Sequence, residues 1–144
     1  MRKPAGLPAT IVLLLLSMNS TAQQSPDHKT RFDGKWQTTV SCDAARGALG
    51  FSYRFTSVVK NGNFRGLHGV EGQRGYLLIE GKIGDDGDGK LYAAGMTGSK
   101  EYVPGLDTPP GTDYGYHIKS QFTGRTGTGE RVEGRHCTIE FEKQ

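Results

Sequence analysis

From residue 35 onward, apolar and polar side chains alternate in short runs divided by glycine-rich breaks, and no stretch of eleven or more residues keeps a helical period. Eight runs read as strands: 35–42, 48–60, 63–70, 75–83, 90–97, 114–123, 127–134 and 136–142. In the second, Phe51, Tyr53 and Phe55 share one face, with Arg54, Thr56 and Lys60 on the other. In the fourth, Leu77, Ile79 and Ile83 oppose Tyr76, Glu80 and Lys82. In the sixth, Tyr116, Ile118 and Phe122 oppose His117, Lys119 and Gln121. Asn61-Gly62 between the second and third runs is a strong two-residue hairpin signal. Asp85, Asp86, Gly87, Asp88 and Gly89 make the next turn. Residues 43–46 offer at most one helical turn. An all-β fold follows, and an eight-stranded antiparallel meander closed into a small barrel is the preferred architecture, with a β-sandwich as the alternative.

The outermost runs suggest how the sheet closes. Trp36, Thr38, Val40 and Cys42 alternate along the first, and Cys137, Ile139 and Phe141 along the last. Antiparallel pairing with Cys42 opposite Cys137 sets Val40 against Ile139 and Thr38 against Phe141, so that the apolar side chains share one face. The first and last strands then become neighbours, as a barrel requires. A Cys42–Cys137 disulfide is the preferred reading of the only two cysteines. A free thiol pair, a metal site and an intermolecular bridge are the alternatives.

The start of the chain bears on where such a bond would form. Arg2 and Lys3 precede an apolar core over residues 9–18, about the length of a signal-peptide core. A membrane-spanning helix needs roughly twenty residues. Ser20 and Ala22 place small residues at the −3 and −1 positions of a cleavage site after Ala22. Residues 1–22 are therefore read as a signal peptide, 23–31 as a flexible lead-in and 32–144 as one β domain. An uncleaved N-terminal anchor is the alternative. No cysteine follows the core, which argues against a lipoprotein anchor. The expected location is periplasmic or secreted, an oxidising setting in which a cysteine pair forms a disulfide. With no second apolar run, the mature chain is expected to be soluble, monomeric and free of the membrane.

Removal of Arg2 and Lys3 lowers the formal net charge from +3 to +1. A nearly neutral, mixed-sign chain gives no electrostatic reason to expect nucleic acid as a partner. Apolar residues make up only 34% of the sequence, which speaks against a large greasy cavity. The many glycines show no collagen period and fall between the β runs, where they suit turns and bulges.

Few constellations carry recognisable chemistry. Counted from Asp86, the twelfth position of a calcium loop is Thr97 rather than a bidentate glutamate, so the aspartates read as a hairpin turn. His28, His68, His117 and His136 lie in separate segments without the spacing of a metal motif. There is no Gly-x-Ser-x-Gly nucleophile elbow. Gly124, Gly127 and Gly129 form Gly-x-x-Gly-x-Gly, not the dinucleotide order, and no helix follows. No metal, cofactor or enzymatic activity is expected. Arg125, Arg131 and Arg135 are concentrated in and beside this segment, and with Arg54 and Arg65 they could line one face or mouth. The alternative is a polar hairpin in which Glu130 and Glu133 pair with them.

One connection is too long for a hairpin. Residues 98–113 contain Tyr102, Val103, Pro104, Leu106, Pro109 and Pro110. Long loops in compact domains are often binding loops, and this one also suits a plug across a barrel end. Tyr102, Leu106 and Tyr114 on or beside it, with Arg54 and Arg125 reaching the same mouth, are the candidate ligand- or partner-binding residues.

The opening Gly34-Lys35-Trp36 resembles the start of lipocalin and avidin chains, in which the tryptophan packs the closed barrel end. The further tryptophans of an avidin ligand site have no counterpart, so the resemblance does not imply biotin binding. Most of residues 32–143 also resembles an uncharacterised family of small exported bacterial β proteins. The likeness rests on Phe32-Asp33-Gly34-x-Trp36, the run 47–55, and Arg131-Val132-Glu133-Gly134-Arg135-x-Cys137. It implies an exported β domain and no particular activity. The leading expectation is a non-enzymatic binding protein that holds a small ligand or a partner at the barrel mouth and long loop. The alternative is a protein inhibitor of a secreted or periplasmic enzyme of protease or lysozyme type.

Overall fold

In the computed structural model, residues 31–105 and 107–144 are described, together with Met1, Arg2 and Gly6. Nearly all of the expected signal peptide 1–22 and lead-in 23–31, and the candidate Leu106, lie outside the described residues.

The eight strands are β1 (Gly34–Cys42), β2 (Phe51–Lys60), β3 (Asn63–His68), β4 (Leu77–Ile83), β5 (Asp88–Met96), β6 (Asp113–Thr123), β7 (Thr126–Arg131) and β8 (Cys137–Lys143). Each pairs antiparallel with the next, and β8 returns to β1, so that one ladder runs around a closed barrel. The sandwich alternative is thereby set aside. The seam has the anticipated register: Cys42 opposite Cys137, Val40 opposite Ile139, Thr38 opposite Phe141. Among the described residues no helix is long and apolar enough to cross a membrane.

Alternation decides which side chains enter. Trp36, Thr38, Val40 and Cys42 are all buried, as are Cys137, Ile139 and Phe141 across the seam. The turn between β2 and β3 has φ of 52° at Asn61 and 74° at Gly62, the left-handed pair of a type I′ hairpin. The carboxylate of Asp33 caps that turn, accepting from the Asn61 and Gly62 amides at 2.7 and 3.1 Å.

The two barrel ends differ. The end that carries the turns β2–β3, β4–β5 and β6–β7 is filled by aromatic rings. Trp36 meets Phe122 edge-on at 5.2 Å, Phe122 lies 4.7 Å from Phe141, and Phe64 meets Phe141 at 5.4 Å between ring centres. Phe32 enters ahead of β1 and accepts a 2.8 Å hydrogen bond from the Trp36 indole on its carbonyl. Above this layer the interior turns polar: Thr38 and Ser57 share a 2.7 Å hydroxyl hydrogen bond, and Ser120 donates to the Gly89 carbonyl. Among the described residues no sealed-off side-chain polar atom lacks a partner.

Several glycines expected at turns and bulges instead line the interior wall. A side chain at Gly66 would strike Ser57, one at Gly89 would strike Ser120, and one at Gly127 would press on the Phe122 ring. A narrow barrel has room for large side chains on some strands only where facing positions are bare.

Candidate binding site at the barrel mouth

The other end carries the loops β1–β2, β3–β4, β5–β6 and β7–β8, and here the interior is not filled. A cavity of about 590 Å³ opens between the disulfide and the long β5–β6 loop. Phe51, Tyr53, Tyr102, Tyr114, Tyr116 and Arg131 bring its aromatic and charged groups together.

The long loop is cinched at its neck. Thr97 Oγ1 donates to the Pro109 carbonyl at 3.0 Å and accepts from the Thr112 amide at 2.9 Å, while the Thr97 amide donates to the Thr112 carbonyl at 2.9 Å. Beyond the neck, a 3-10 turn at Lys100–Tyr102 crosses to the β1–β2 loop, where the Leu49 amide donates to the Glu101 carbonyl at 2.7 Å. Tyr102 thus meets the Phe51 ring edge-on at 6.3 Å across the opening.

Arg135 ties the rim together. Its buried guanidinium donates to the carbonyls of Asp43 at 2.6 Å, Tyr102 at 2.8 Å and Leu49, so one side chain joins the β1–β2 and β5–β6 loops to the approach to β8. Burial pulls it below its ordinary pKa, with the nearby positive charge of Arg131 adding to the effect. Beside it, His136 Nδ1 is 2.7 Å from the Asp43 carboxylate.

Arg131 is placed differently. Its guanidinium lies 4.1 Å from the centre of the Tyr116 ring, a cation–π arrangement, and its Nε donates to the Glu133 carbonyl. The Glu133 carboxylate is engaged elsewhere, accepting from the His117 amide at 2.7 Å with His117 Nδ1 at 2.6 Å. Contact with His117 accordingly lowers the Glu133 pKa. In the polar-hairpin alternative Glu133 pairs across the segment, whereas here its carboxylate goes to the His117 imidazole. His117 faces outward here, while His68 stacks on Tyr53 with ring centres 3.9 Å apart, so these two histidines do not meet.

Three of the tyrosines, Tyr53, Tyr114 and Tyr116, are held as protonated phenols by their surroundings. Burial pushes Tyr116 up to about 12, partly countered by Arg131, and raises Tyr114 further. Tyr53 is raised by burial and by Tyr102. Tyr114 and Tyr116, two apart on β6, are parallel with ring centres 6.2 Å apart. Gly95 on β5 makes this possible, because a side chain there would come within 2.6 Å of the Tyr114 hydroxyl.

Of the candidate residues, Tyr102 and Tyr114 line the cavity. The two candidate arginines lie away from the mouth. Arg54 is exposed on the outer wall, because its neighbours Tyr53 and Phe55 take the inward positions of β2. Arg125 lies in the β6–β7 turn at the opposite, aromatic end, where it donates to the Lys143 carbonyl at 2.9 Å. The arginines that line the mouth are Arg46, Arg131 and Arg135, and strand parity could have located the last two. Arg131 continues the inward series Gly127, Gly129, and Arg135 extends that of Cys137, Ile139 and Phe141.

No known protein family, curated protein or solved structure matches the chain. Its chemistry is therefore read from its own residues. Among the described residues no three His, Cys, Asp or Glu side chains converge as metal ligands would. A second hollow of about 490 Å³ lies on the outer wall of β6–β8, between Lys119, Gln121, Glu130 and Glu140. These are outward polar side chains of adjacent strands, with no converging aromatic groups, so the mouth is the stronger site.

Proposed function

We propose that this protein is an exported, non-enzymatic β-barrel that binds a small ligand in the mouth cavity, in a periplasmic or extracellular setting. One observation carries the reading: the barrel is packed at one end, while at the other four tyrosines and Arg131 surround about 590 Å³ of open space. Ligand sites typically occupy roughly 300–1,000 Å³, with apolar and aromatic walls and a few placed polar groups. The disulfide suits an oxidising compartment, and the signal-like segment 1–22 supports export.

A second reading, inhibition of an exported enzyme, is favoured by the rim. Leu49, Val70, Tyr102 and Val132 are 55%, 58%, 44% and 50% exposed, one on each of the four loops at this end. The opposite turns present Asn61, Asp85, Asp86 and Arg125 instead. Exposed apolar groups around a rim mark interaction surfaces.

Calorimetric titration with a small-molecule library and with a panel of exported proteases and lysozymes separates the two. Replacing residues 101–108 by a Gly/Ser linker is expected to leave the barrel folded and to abolish the binding found. Collapse of the thermal melt would instead assign that loop to the core and contradict its role in binding.

A further inference from the structure

We infer that the mouth takes a compact aromatic carboxylate, its charge on Arg131 and its ring among Tyr53, Tyr114 and Tyr116. This rests on the ligand-binding reading above and names the ligand's chemical class.

The charge argument comes first. Among the described residues, two rim carboxylates are paired with histidines rather than arginines: Asp43 with His136, and Glu133 with His117. Arg131 and Arg135 have no ion-pair partner among the described residues. Arg135 directs all three of its nitrogens to backbone carbonyls and serves as a strut. Arg131 gives only Nε to a carbonyl, so among the described residues its two terminal nitrogens are uncommitted, and these form the planar fork that matches a carboxylate. Arg46 also lines the opening, but it is exposed on the β1–β2 loop.

The phenols add to this. Among the described residues no hydrogen bond engages the hydroxyls of Tyr53, Tyr114 or Tyr116, and none of these three is sealed from solvent. Because burial keeps the hydroxyls of Tyr114 and Tyr116 protonated, they present O–H donors, which suit an oxyanion.

Shape sets the ligand's length. Below the cavity, the Thr38–Ser57 hydroxyl pair and the rings of Trp36, Phe64, Phe122 and Phe141 fill the bore. A long acyl chain has no channel to enter. A flat ring fits instead, because the parallel Tyr114 and Tyr116 and the inward Tyr53 offer aromatic edges and faces.

The test uses matched acids and amides: benzoate and benzamide, 1-naphthoate and 1-naphthamide, 4-hydroxycinnamate and its amide. Each is titrated into the full mature protein by calorimetry and by two-dimensional NMR. At least one acid is expected to bind about tenfold or more tighter than its amide, with shifts at Gly98, Tyr102 and Gly134, since a hydrogen-bonded charge typically contributes that much. Arg131→Gln should erase the difference between acid and amide, and Arg131→Lys should restore part of it. Equal binding of acid and amide to the native protein, with the same cavity shifts, overturns the anion inference and leaves the ligand-binding reading intact. Binding of none of the six overturns the inference, and absence of any library hit at the mouth then removes the ligand-binding reading with it. The acid–amide comparison on the native chain decides the anion preference even if the Arg131 variants fail to fold, and the shift at Gly134, which lies against the Arg131 guanidinium, then places the charge; its absence overturns the assignment to Arg131.

Discussion

Cys42 stands directly opposite Cys137 across the ladder that joins β1 to β8, and their sulfurs are bonded. The bond links the last residue of β1 to the first of β8 at the rim of the cavity, and so fastens the barrel where its two terminal strands meet. The cysteines are 95 residues apart in sequence. In the chain-entropy description a loop of that length stabilises the fold by about 4–5 kcal/mol. The native protein should therefore show no alkylatable thiol, and its intact mass should lack two hydrogens. The double variant Cys42→Ser, Cys137→Ser should unfold at markedly lower guanidinium concentration. Two free thiols in the native chain, or an unchanged midpoint, would contradict this.

Val40 and Ile139 face one another in the same ladder, and both are buried. Val40→Asp would put a charge without a partner into the apolar wall. The expected loss is on the order of 4 kcal/mol, read from a urea melt. A shift below about 1 kcal/mol would mean that this seam opens readily to water.

The two rim arginines should behave differently. Arg135→Leu removes donors from three carbonyls on two loops, and a cost of about 1.5–3 kcal/mol is expected, with faster amide exchange over residues 43–50 and 99–103. Arg131→Gln removes one carbonyl hydrogen bond and a cation–π contact, and should cost less and leave exchange in those loops unchanged. Equal effects of the two substitutions would show that Arg131 is also a strut.

Tyrosine ionisation gives a pH signature. The folded pKa of Tyr116 is about 12 against an ordinary 10.0, and that of Tyr114 is raised further. The folded state therefore holds more protons than the unfolded state above pH 10, so stability is fully present below pH 10 and declines as pH rises through 12. Absorbance at 295 nm should show a late-titrating fraction that shrinks in Tyr116→Phe, and the denaturation midpoint should fall from pH 10 to pH 12. Complete ionisation of all tyrosines near pH 10 in the folded protein would contradict the buried placement.

Strand parity made the barrel legible. Trp36 to Cys42 and Cys137 to Phe141 each alternate with period two, and of the registers that bury both sets the one that sets Cys42 opposite Cys137 also closes a disulfide, which is why the seam could be read before the fold was known. Asn61-Gly62 demanded its hairpin. The site was legible in part. Parity already put Arg54 on the face opposite Tyr53 and Phe55, so its assignment to the mouth conflicted with the pattern that located those rings. Arg125 fails on counting: in a meander alternate turns fall at opposite ends, and the β6–β7 turn shares an end with Asn61-Gly62. The extent of the cavity had no local signal. It depends on which inward glycines are filled by a ring from a neighbouring strand, as Phe122 fills the space at Gly127, and that is a property of three-dimensional packing.

The most direct test of the mouth as a binding site is a fragment screen followed on the amide resonances of the isotopically labelled protein. Hits are expected to shift Gly98, Tyr102, Gly134 and the inward positions of β6, and to leave the turns at Asn61-Gly62 and Asp85-Asp86 unmoved. Hits that gather at those turns or on the outer wall of β6–β8, with the mouth resonances unchanged, would contradict the assignment of function to this cavity.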